Sequence, residues 1–321
     1  MMKPAHARPA ARAVKKAPRQ AGLFRNAARK ALVLAAALGA RALLPAMDWP
    51  CADGQVSANF GLNEQGRPVL GTVFQAEGPV LAADQGELVF YRGREAPASR
   101  LPSPLGAWAA LDHGDGILGI YSRFEDARDA GNAPGRPPEP APQVRRGEAL
   151  AAAGRSGWTE QTGFYFALFD RRERRWINPS LIIAPLADDS PPQILQVQLR
   201  ASDGRIIPPG QSRISQGPYS IIATVTDSLA RSSPIRLAPH RIMVSLNGAE
   251  AGSLSFETYS VRNGTLVLSR NGLEPVSSVY APYPAFDLGE TWFTRGQTTL
   301  ELIARDVMGN ENSSIRRLEV E

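Results

Sequence analysis

Gly78-Pro79-Val80-Leu81-Ala82-Ala83-Asp84-Gln85-Gly86-Glu87-Leu88-Val89 reads as a short apolar strand, a polar turn closed by glycine, and the start of a second strand. Outward from it the same grammar continues. Residues 87–91, 108–111, 117–121 and 164–169 are further strand candidates, and no helical period runs between them. Residues 129–143 are Pro-rich and read as a surface loop.

The polar, Pro-terminated joint Ala187-Asp188-Asp189-Ser190-Pro191-Pro192 is the best domain boundary, dividing residues 48–187 from 191–321. Beyond it, strands are expected at 194–199, 219–225, 242–246, 298–305 and 314–320. Asn247-Gly248, Asn263-Gly264 and Asn271-Gly272 supply turn signals. Many short strands with regular turns predict a sandwich. With no Cys…Trp…Cys framework, it is immunoglobulin-like only in the broad bacterial sense. The expected fold class is therefore all-β throughout.

The formal charge of +5 comes from one end of the chain. Residues 1–47 hold ten basic groups (four Lys, six Arg) and no carboxylate. Residues 48–321 then carry 36 − 10 = 26 basic against 31 acidic groups, a net of −5. A nucleic-acid partner needs basic residues clustered on the folded part, which excludes that class. Within the tail, Arg25, Arg29 and Lys30 precede the apolar run 31–40, which is too short for the ~20 residues of a membrane span. With Ala40-Arg41-Ala42 as a cleavage pattern it reads as an export signal. The alternative is an amphipathic basic helix on a cytoplasmic membrane face. The expected location is the periplasm or extracytoplasmic envelope, with membrane contact only through this segment if it stays uncleaved. Cys51 is the single cysteine, so no internal disulfide forms, and it reads as a small apolar residue.

Five stretches in order carry a family resemblance. They are Phe60-Gly61 with Gly66-Arg67-Pro68; the stretch 78–89; residues 106–121 around Asp112-His113-Gly114-Asp115-Gly116; Val144-Arg145-Arg146-Gly147-Glu148-Ala149-Leu150 with Gly154-Arg155-Ser156-Gly157; and Trp176-Ile177-Asn178-Pro179. Together, over residues 56–182, they resemble the lysostaphin/LytM-type zinc endopeptidases that cut peptidoglycan cross-links. The resemblance implies an antiparallel β domain. It also implies a zinc site built from a histidine and an aspartate four positions apart and the second histidine of a histidine–x–histidine strand. Two further histidines would assist the water.

This chain departs from that pattern at every such position. Keeping Gly71 as the motif glycine puts Val69 and Val73 at the first ligand positions, while an ungapped count back from Pro79 gives Arg67 and Gly71. Arg123 stands at the tyrosine–x–histidine position after Tyr121-Ser122. Phe166 and Leu168 are read onto the histidine–x–histidine strand. A catalytic zinc needs three N, S or O protein ligands and an open position. The chain's three histidines are His6, His113 and His240, with His6 in the tail. No metal and no other cofactor is expected, and the chain is expected to be a non-catalytic homologue.

Groove candidates are then Arg123, Tyr121, Trp158, Tyr165 and His113. Arg123 either grips a ligand carboxylate in bidentate fashion or pairs on the surface with Glu125 or Asp126. His113 reads as a turn-stabilising hydrogen bonder, and Asp112 and Asp115 as turn formers rather than a cation site. Trp108 and Phe166 are expected in the core and Trp158 exposed. Arg171, Arg172, Arg174 and Arg175 read as a solvated hairpin tip. Asp306 with Gly309-Asn310, having a single nearby carboxylate, reads as a turn rather than a calcium site. The expected partner is peptidoglycan or another envelope protein.

Overall fold

The computed structural model describes residues 47–93, 103–125, 142–207 and 211–321. The basic tail, the apolar run and most of the Pro-rich stretch lie outside them. Residues 45–321 belong to one compact unit. Among the described residues the chain is all-β, with one helical turn at Val276–Val279 and one 3-10 turn at Pro179–Leu181. No described helix is long and apolar enough to cross a membrane.

The first half is organised around the strand Phe164–Asp170. Ile117–Ser122 lies antiparallel along one side of it, Thr72–Gln75 against its start and Arg175–Ile177 against its end. Trp108–Asp112 and Gly86–Arg92 extend the sheet. The Pro79–Leu81 strand of the opening motif pairs instead with Ala149–Ala152. Successive side chains on a strand alternate between faces. Phe164, Phe166 and Leu168 are accordingly fully buried, packed with Phe74, Leu111, Tyr121 and Val80. Phe74 and Phe164 stack with centroids 4.9 Å apart. Cys51 packs partly buried against this core, and burial raises its thiol to about 11.

The second half is a sandwich. One layer holds Gln193–Ala201, Gly217–Thr226 and Ala285–Phe293; the other holds Arg241–Leu246, Ala249–Arg262, Gly296–Arg305 and Glu311–Val320. Leu199, Ile221 and Val225 from the first layer meet Ile242, Leu254, Leu300 and Leu302 from the second. The Asn-Gly pairs turn as expected. Asn247 and Gly248 have φ of 52° and 82°, and Asn263 and Gly264 have 50° and 77°, the left-handed geometry that two-residue hairpins require.

The halves meet along more than a linker. Arg175–Ile177 pairs with Ser260, Tyr259 and Thr258, so one hydrogen-bonded sheet runs through both. Each half also lends the other a core residue. Phe60 sits in the sandwich core, 5.1 Å from the Tyr259 ring, and Leu237 packs in the first core. Three side chains clip the contact: Asn63 Nδ2 donates to Ala281 O (2.8 Å), Tyr280 Oη to Gly61 O (2.7 Å) and Asn178 Nδ2 to Phe256 O (3.0 Å).

Candidate functional site

Of the expected zinc-site positions, Val69 and Val73 lie against the face of Phe164–Asp170 that carries Tyr165. Register decides which residues these are. Tyr165 pairs with Val73 and with Ser122, so Tyr165 and Ala167 share the face of the first-motif positions. Phe166 and Leu168 point the other way, into the core, so the motif positions read from the sequence fall on both faces of this strand. Gly71, from the second alternative for the first motif, also lands on the Tyr165 side, whereas Arg67 is exposed on the hairpin opposite Glu64. A Cβ placed on Gly71 would lie 2.8 Å from Ala167 Cβ and 2.9 Å from Tyr165 Cε2. Val69 and Val73 form a small apolar cluster with Ala58, packed against Leu62 and Tyr165. This corner is thus filled by Gly71, Ala167, two valines and a tyrosine ring, none of them the nitrogen, sulfur or carboxylate donors that zinc sites favour.

Arg123 stands at the margin of that corner. Alternation would keep it on the face of Tyr121, two residues earlier. Its φ of 70° breaks the alternation just beyond the strand end, and its guanidinium comes beside Tyr165 and Glu64. Burial lowers the Arg123 pKa, and the fields of Glu64 and Tyr165 act against that shift. Burial likewise raises the Tyr165 phenol above its usual range. The expected surface pair with Glu125 is not formed, and Asp126 lies outside the described residues. Arg123 N donates to Leu105 O at 3.0 Å, and Trp158 N donates to the adjacent Pro104 O at 3.1 Å. One short segment therefore holds Arg123 and Trp158 on a common rim, with Trp158 77% exposed.

Tyr121 and His113 do not join this groove. Tyr121 is fully buried on the core face, opposite Phe166, with centroids 5.0 Å apart. His113 Nδ1 lies 2.9 Å from Gln85 O, and its Nε2 lies 3.1 Å from Tyr121 Oη, which also accepts from Ala83 N at 3.0 Å. This arrangement fits a Nδ1–H tautomer with the tyrosine hydroxyl donating to Nε2. Burial holds the His113 pKa below its ordinary value, favouring the neutral ring. His113 therefore ties the turn of the opening motif to the hairpin, a structural role.

The basic turn is less free than the sequence suggested. Arg171 pairs with Asp112, Arg172 with Asp115 at 3.3 Å and Arg175 with Asp170 at 3.5 Å. Asp112 and Asp115 therefore act as arginine partners. Trp108, expected in the core, is half-buried and stacks on Phe90 with centroids 4.2 Å apart.

No curated protein matches the chain. A family model matches residues 191–321, the sandwich half. Among solved structures, the chain is similar to the catalytic domain of a prophage-encoded M23 protein from Enterococcus faecalis. The identity is 16%, 40% of this chain and 92% of that chain are covered, and the TM-score is 0.31. It is similar to lysostaphin of Staphylococcus simulans in solution, at 13% identity over 75% of this chain and 95% of that one, with a TM-score of 0.32. A zinc-containing peptidase from Vibrio cholerae gives 18% identity over 42% of this chain and 39% of its own, with a TM-score of 0.31.

Proposed function

We propose that this chain is an exported, non-catalytic cell-envelope protein whose first half has the architecture of lysostaphin/LytM-type endopeptidases and binds peptidoglycan through the former cleft. The sandwich, read as immunoglobulin-like, acts as its fixed support. One observation carries the reading: the corner that holds the motif positions is packed with Gly71, Ala167, Val69, Val73 and Tyr165, and Arg123 is set at its edge without an ion-pair partner among the described residues. An arginine partly withdrawn from water suits the planar, anionic carboxylates of peptide stems, which it can hold by two parallel hydrogen bonds. The exposed Trp158 on the same rim offers a flat apolar surface to a sugar ring or peptide.

Co-sedimentation of the purified protein with peptidoglycan sacculi tests this. The protein is expected to pellet, with about tenfold weaker binding for Arg123→Ala and for sacculi whose stem carboxylates are amidated. Stoichiometric zinc in the purified protein, or cleavage of cross-links, would overturn the non-catalytic reading. Failure to pellet, together with capture of a cell-wall hydrolase, would move the function to scaffolding another enzyme.

A further inference from the structure

Three aspartates distant in sequence meet where the two halves join. Asp188 lies in the connecting segment, Asp227 directly follows the strand Gly217–Thr226, and Asp306 directly follows Gly296–Arg305. Their carboxylate oxygens lie within 4.8 Å of one another. The expectation that Asp306 stands with a single nearby carboxylate is corrected here, because strand pairing brings in two others. No described lysine or arginine pairs with any of the three.

Two of these groups have ordinary partners. Asp306 accepts from Asn310 N (2.9 Å) and Asn310 Nδ2 (2.7 Å), and the same amide reaches Asp188 O at 3.2 Å. Asp188 Oδ1 accepts from Ser190 N at 2.9 Å. Asp227 takes a backbone hydrogen bond from Ser228 but differs in its second oxygen. It is only 7% exposed, and its buried Oδ1 has no hydrogen-bond partner among the described residues. A buried carboxylate oxygen without a donor is costly unless it is protonated or coordinates a metal. Burial, and then the charge of Asp188, push the Asp227 carboxyl up to about 8.

We propose that Asp188, Asp227 and Asp306 bind one calcium ion, which ties the connecting segment to two loops of the sandwich. Calcium takes oxygen ligands at roughly 2.3–2.6 Å, so two oxygens on one ion stand at most about 5 Å apart, which the triad satisfies. The donors are all hard oxygens, whereas zinc would favour nitrogen or sulfur and magnesium is smaller and keeps its waters. Asp188, Asp227 and His240 also line a cavity of about 40 Å³. That is room for water ligands to complete a shell of about 6–8 oxygens.

Calcium titration of the chelator-treated full chain, followed by calorimetry and thermal melting, tests the site. One calcium per chain is expected, with weaker magnesium binding and a Tm rise of about 5–10 °C at saturation. Asp227→Asn should lose at least about tenfold in calcium affinity and most of that rise. In chelator the same variant should melt at or above the unsubstituted protein, because the neutral amide avoids the cost of burying or protonating the carboxylate; this shows that the variant folds. Absence of both heat and Tm rise up to about 10 mM calcium would overturn the proposal. So would unchanged affinity in Asp227→Asn, which would place the ion elsewhere.

Discussion

The side-chain amide of Asn59 satisfies both backbone groups of Ala238, 179 residues away: Nδ2 donates to the carbonyl at 2.9 Å and Oδ1 accepts from the N–H at 2.7 Å. Ala238 is buried, so each lost bond leaves a backbone group withdrawn from bulk solvent. Asn59→Ala should therefore cost about 3 kcal/mol, two orphaned backbone groups' worth, and chemical denaturation would measure it. Asn59→Asp, which keeps the acceptor and loses the donor, should fall between the two.

Phe60 belongs to the first half by sequence and to the second by packing. Phe60→Ala is expected to destabilise by about 3–5 kcal/mol, the cost of emptying a large buried aromatic site. The loss should be read in the sandwich: amide exchange in Arg241–Leu246 and Ala249–Arg262 should accelerate together with that in Phe164–Asp170. Faster exchange confined to the first half would show that the two cores unfold independently.

Arg123 holds a left-handed backbone that costs a non-glycine residue roughly 1 kcal/mol. Arg123→Gly should relieve that strain and leave stability equal or higher by up to about 1 kcal/mol, while sacculus binding falls. Arg123→Ala removes the same guanidinium but keeps the strain, so it should melt below the glycine variant. Opposite ordering of the two melting temperatures would show that the left-handed backbone at this position carries no strain.

His113 makes stability depend on pH. Its folded pKa is depressed by burial, against the opposing pull of the Gln85 carbonyl and of Asp84 and Asp112, while Tyr121 faces its other nitrogen. The unfolded chain therefore takes up the proton first as pH falls. The stabilisation is complete above an unfolded pKa of about 6.5 and is lost as pH drops through the folded value. The contribution of His113, read as the difference in urea midpoint between the unsubstituted protein and His113→Asn, should shrink as pH falls below about 6.5.

Strand identity was legible where one face is strongly apolar or a turn carries its own signature, as at 164–169 and at Asn247-Gly248. Face assignment on the central strand was not. Phe164-Tyr165-Phe166-Ala167-Leu168-Phe169 is apolar at every position, so no alternation shows which side looks inward, and only pairing to Val73 and Ser122 resolves it. Arg123 was legible as a site residue, but its turn out of the Tyr121 face depends on one torsion that sequence does not display. The acidic triad was invisible because its members stand at 188, 227 and 306. A single signal existed: three aspartates, each at the end of an expected strand or joint.

The seam between Trp176 and Tyr259 sets how the molecule can respond to being held at two places. Domains joined by a linker usually swing, but here a strand of one half is hydrogen-bonded to a strand of the other, and each core contains a residue of its neighbour. There is no hinge to bend at this junction. Whatever grips the Arg123 rim and whatever grips the far end of the sandwich are held at a fixed angle and spacing, as by a bracket.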